Sequence, residues 1–166
     1  MASEWHDFFL LAGTAAATLM GLVFVAVSFA VGSKAERTTG DVDAWITPAL
    51  MFFTEAFVVS AVSVAPMSAH VLAGLVLVPP LIGAPYGAWR LRFFWRQHGE
   101  EALDGKTWIW HAILPLGAHA GIVTGAVLLF QDDDRGLPPI AAGTVVLVLC
   151  AVRNAWTLVV YLIEQR

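Results

Sequence analysis

The chain has 166 residues, of which 58% are hydrophobic and 13% charged, with a formal net charge of −4 and one cysteine. A soluble domain carries about a quarter charged residues, and a single thiol excludes both an intrachain disulfide framework and a zinc site built from several thiolates. No charge falls between Phe8 and Val31 or between Val71 and Trp89, and charge-free runs of 18 or more residues are what a hydrocarbon core of about 30 Å requires of a helix.

The N-terminal segment MASEWHDFF carries acids and no Lys or Arg. It lacks the basic region of a cleaved signal peptide, so the first apolar run is expected to stay in the mature protein. That run, residues 8–31, repeats small residues every four positions at Gly13, Ala17 and Gly21. Residues four apart share a helix face, and small ones let backbones approach where lipid removes the hydrophobic drive to associate. The stretch FFLLAGTAAATLMGLVFVAVSF, Phe8 to Phe29, resembles the opening of small uncharacterised bacterial integral membrane proteins with a small-residue-rich first helix. That family has no established activity. The resemblance implies a bacterial inner-membrane location and assigns no functional residue.

Four further spans follow at residues 44–65, 70–94, 108–130 and 137–163, joined by GSKAERTTGDVD, PMSA, WRQHGEEALDGKT and QDDDRG. No alternation of period two bounded by turns appears, so a barrel is disfavoured. The expected fold is all-α: a polytopic transmembrane bundle of five spans forming a single domain over residues 1–166. Glu55, in MFFTEAFVVS, stands near the middle of the second span. An ionised group at that depth costs several kcal/mol and calls for a partner or a water-filled cavity.

The third span contains VLAGLVLVPPLIGAPYGAW. A proline in a helix has no N–H for the carbonyl four residues earlier. Pro79, Pro80 and Pro85 thereby leave the carbonyls of Leu75, Val76 and Leu81 without their usual donors. The span is expected to be kinked or broken, either as a static bend satisfied by neighbours or as the lining of a site in which unwound carbonyls face a cation. Beyond it, WRLRFFWRQ mixes aromatic and basic residues. At a membrane edge this reads as anchoring to anionic headgroups, and no nucleic-acid partner is expected.

The fourth span repeats Gly117, Gly121 and Gly125, with His119 about 200° around the helix from Gly117 and at a depth similar to Glu55. The fifth carries Arg153 beside Asn154. His70 and His111 lie toward opposite edges, so neither a haem pair nor a shared metal site is expected, and no cofactor is called for. Seven of the nine basic residues (Lys34, Arg37, Arg90, Arg92, Arg96, Lys106 and Arg166) fall on one side of a five-span arrangement, against Arg135 on the other. Retention of positive charge in the cytoplasm then puts the N-terminus outside and the C-terminus inside.

No G-x-S-x-G, H-E-x-x-H, Walker A or G-x-G-x-x-G motif is present, and the reading is not that of an enzyme. Two functions are expected to compete. In one, the protein is a channel or carrier for a small cation or proton, with Glu55 as binding site, His119 as relay, Arg153 and Asn154 beside them and the third-span break as lining. In the other it is a non-conducting membrane subunit or regulator that holds a partner protein. On the plainest structural reading, Glu55 and Arg153 form a buried ion pair with His119 as a neutral neighbour. The two glycine ladders favour a homo-oligomer.

Overall fold

Backbone in lipid has no water to bond, so each N–H must be satisfied within its own segment. In the computed structural model, which describes residues 2–31, 39–98 and 108–164, the described residues are overwhelmingly helical and contain no strand. The helices are α1 (Ala2–Val31), α2 (Thr39–Val64), α3 (Ala69–Val76), α4 (Val78–His98), α5 (Leu114–Phe130) and α6 (Leu137–Glu164). A π-helical turn, Ile109–Ile113, leads into α5, and a 3-10 turn, Asp134–Gly136, leads into α6. Within them, five stretches are long and apolar enough to cross a membrane: Trp5–Ser28, Thr47–Val64, Ala69–Trp89, Ile109–Phe130 and Asp134–Thr157. The basic residues Lys34, Arg37, Lys106 and Arg166 lie outside the described residues, as do the side chains of Trp45, Arg90, Trp95 and Arg96.

Prolines set the internal boundaries. Pro79 and Pro80 occupy the first turn of α4, where the missing N–H groups have no intrahelical partner to lose. The third span is accordingly two helices with Leu77 between them, its N–H bonded to the carbonyl of Ala73. Pro85 is carried inside α4. Pro115 acts on the fourth span in a similar way. It cannot give an N–H to the carbonyl of His111, and the preceding turn is widened so that Leu114 N–H reaches back five residues to Ile109.

Helix α2 packs on α1 and α6, α5 packs on α6, α3 rests on α5, and α4 touches both α2 and α5. The last span is half buried, whereas only 17% of the first is. Leu10, Leu11, Leu22, Phe24 and Val25 of α1 are exposed on the outside of the bundle, the surface that lipid would cover. At one end of the bundle, His70 Nδ1 lies 3.6 Å from Asp132 Oδ1, which places the second and fourth connections together. Asp132 has φ +56°, a left-handed conformation that Asp tolerates better than most residues.

The glycine ladders divide. A Cβ on Gly13 would stand 2.9 Å from Ser60 Cβ of α2, while at Gly21 it would meet nothing within 4 Å; Ala17 is half-buried. In α5, Gly117 is open, a Cβ on Gly121 would be 3.3 Å from the carbonyl oxygen of Pro139, and one on Gly125 would collide with the carbonyl of Gly136 and with Ile140. Helix α6 answers with Gly143, where a Cβ would be 2.6 Å from the carbonyl oxygen of Ala118 and 2.7 Å from Ile122 Cγ1. Two backbones meet here without side chains between them.

Gly143→Val should therefore destabilise the bundle by about 1–3 kcal/mol through overpacking. Gly21→Ala and Gly117→Ala, in open space, should be neutral or slightly stabilising because Ala is the better helix former. Denaturant unfolding in mild detergent separates the two groups.

Candidate functional site

Glu55 lies eight residues after Thr47 and nine before Val64, the bounds of its membrane-spanning stretch. His119 is ten residues from Ile109 and eleven from Phe130. Both are therefore at mid-span, on α2 and α5, and they meet: His119 Nε2 is 2.7 Å from Glu55 Oε2. The residues are 6% and 5% exposed. With Glu55 ionised, Nε2–H donates to the carboxylate; with Glu55 protonated, its O–H donates to Nε2. One proton can thus be held by either partner without the heavy atoms moving.

The other atoms of the pair are placed differently. Glu55 Oε1 and His119 Nδ1 are buried and make no hydrogen bond among the described residues. The carboxyl group lies directly against Gly83 of α4, where an added Cβ would overlap Oε1 and come within 2.6 Å of Cδ. Position 83 thus has no room for a β-carbon while Glu55 keeps this rotamer. No local pattern in the sequence announces it, because the two residues belong to different spans.

Two spaces flank the pair. Glu55 is part of the wall of an open groove of about 450 Å³ between α2 and α4, formed largely by Leu50, Met51, Thr54 and Val58 on one side and Val78, Pro79 and Ile82 on the other. His119 lines a second, smaller cavity of about 30 Å³ between α4, α5 and the π turn. The start of α4 supplies one wall of the groove through Val78, Pro79 and Ile82.

Of the third-span residues that the prolines single out, Pro79 lines the groove and is buried, as are Val76 and Pro80, whereas Leu75, Leu81 and Pro85 are on the exposed surface. Arg153 stands apart from the pair. It is exposed, and its guanidinium carbon is 5.9 Å from the centre of the Trp110 ring. The acid's ion-pair partner is His119 and not the arginine. A long cationic side chain can reach the edge of the bundle, and a tryptophan face rewards it there. Asn154, the next residue, is 2% exposed and belongs to the interior.

No family model, no curated protein and no solved structure matches this chain.

Removing one partner of a buried pair leaves the other without compensation, at a typical cost of about 3–5 kcal/mol, whereas replacing both by apolar groups is close to neutral. His119→Leu should accordingly be the more damaging change, and the double variant Glu55→Met with His119→Leu should recover most of the loss. Unfolding midpoints in detergent test this; equal instability of single and double variants would mean that the contact contributes nothing of its own.

Proposed function

We propose that the protein is a small multi-pass membrane protein that carries protons, as a channel or carrier, through the Glu55–His119 pair. The observation that supports this is the 2.7 Å hydrogen bond at mid-span between two titratable side chains, each of which lines a different space. Protons are favoured over larger cations because one carboxylate oxygen is already bonded to the imidazole. A dehydrated divalent ion wants six or so oxygens, and the described residues contain no group of three or more His, Cys, Asp or Glu that could hold a metal. The groove beside Pro79 takes the place of the broken-helix lining, and displacement of α4 at Leu77 is the motion that would change access to Glu55.

On this reading the location is the bacterial inner, cytoplasmic membrane; the bias of Lys and Arg to one side supports an N-terminus outside and a C-terminus inside. Assembly as a homo-oligomer uses the open small-residue positions, Gly21 and Gly117, where an added Cβ would meet nothing within 4 Å among the described residues. The competing reading, a non-conducting subunit or regulator that holds a partner protein, is favoured by the mutual pairing of Glu55 and His119, both largely buried. In that case the pair only ties α2 to α5.

Flux separates the two. In liposomes with an imposed membrane potential and a trapped pH indicator, the wild type should acidify or alkalinise the lumen at least ten-fold faster than Glu55→Gln; background rates from both would favour the subunit. A fluorescent-protein fusion at the C-terminus should be bright and an alkaline-phosphatase fusion after Asp133 active; the reverse pattern would overturn the orientation.

A further inference from the structure

A proton that reaches His119 needs a route, and the smaller cavity offers one; the argument rests on the proton reading above. The cavity measures about 30 Å³. Room for a water requires roughly 10–15 Å³, and its share of the liquid is about 30 Å³. Phe52, Gly83, Gly87, Pro115, His111 and His119 are in its wall. A buried water also needs at least two polar partners, and the wall supplies two imidazoles. One has a ring nitrogen to spare: His119 is 5% exposed, and its Nδ1 makes no hydrogen bond among the described residues.

We infer that this cavity is an internal hydration site for a single water, and that His111 is the next proton station beyond it. The order is then His111, water, His119, Glu55. Protonated His111 gives its proton to the water while the water gives one to Nδ1 of His119. The imidazolium so formed releases its Nε2 proton to Oε2 of Glu55. His111 ends neutral, the water is regenerated, His119 keeps a proton on Nδ1, and Glu55 becomes the neutral acid. One proton has moved across the pair, and no charge has been created.

The surroundings suit the role. Helix α2 brings Glu55, α5 brings His119, and the π turn brings His111. Helix α4 contributes only glycine and alanine to the wall. From α6, Arg153 covers Trp110, the neighbour of His111 in the sequence. The π turn itself, forced by Pro115, sets the register in which His111 and His119 line one cavity although they are eight residues apart. That spacing on a regular helix would turn them about 80° away from each other.

The test uses the full chain, with ¹⁵N-labelled histidine, in phosphatidylethanolamine–phosphatidylglycerol vesicles. Water-edited solid-state NMR should transfer water ¹H polarisation to Nδ1 of His119. Transfer confined to histidines outside the bundle would overturn the hydration site. In the flux assay, His111→Phe and His111→Gln should each slow proton movement at least ten-fold while the His119 Nε2 resonance keeps its wild-type position. Wild-type rates in both variants would remove His111 from the route. A wild type with water at His119 and no flux would leave the hydration site standing and sink both the station role of His111 and the proton-carrying reading.

Discussion

A carboxyl group halfway across a membrane has to be answered by something close at hand, because hydrocarbon offers neither water nor counter-ions. In this bundle the answer is a single imidazole from another helix, 2.7 Å away. Much of the surrounding arrangement is tied to that contact. It requires α2 and α5 to lie near each other at mid-span, with a glycine of α4 beside the acid. The close backbone approach of α5 and α6, through Gly125, Gly136 and Gly143, fixes the helix that carries the histidine. Helix α1 contributes least to this centre and has the most surface left for lipid.

Proline does the opposite work. Where glycine lets helices close on one another, the prolines decide where a helix starts and how its register runs. Pro79 and Pro80 begin α4, and Pro115 widens the turn ahead of α5. Each of these places borders one of the two spaces beside the pair. The polar centre thus sits between a well-packed half of the bundle, α5 on α6, and a less regular half in which the third span is divided.

That five helical stretches are long and apolar enough to cross a membrane was legible in the sequence, because hydrocarbon thickness imposes a length and a polarity that can be counted. Glu55 and His119 stood out for the same reason: each was a titratable residue inside an apolar run. Their partnership was not legible. Arg153 looked like the better match for an acid, and the spacing along the chain could not reveal that a long arginine would turn outward to Trp110. The ladders of small residues gave positions but not contacts. Gly125 is pressed against α6, while at Gly117, two steps earlier on the ladder, an added Cβ would meet nothing within 4 Å. The contact of Gly83 with the acid and the π turn were not legible either, because they depend on a distance to another segment and on a register shift, neither of which leaves a local pattern.

The glycine beside the acid links two positions that are 28 residues apart in the chain. No β-carbon fits at 83 while a glutamate at 55 keeps this rotamer, so drift at either site is constrained by the other. An aspartate at 55 would be one methylene shorter and would withdraw the carboxyl group from the backbone of α4, making room for alanine. Related chains that had exchanged Glu–Gly for Asp–Ala would have traded the pair as a unit, and a lineage passing through Glu–Ala would first have had to turn the carboxyl group away from α4, at the expense of its bond to His119.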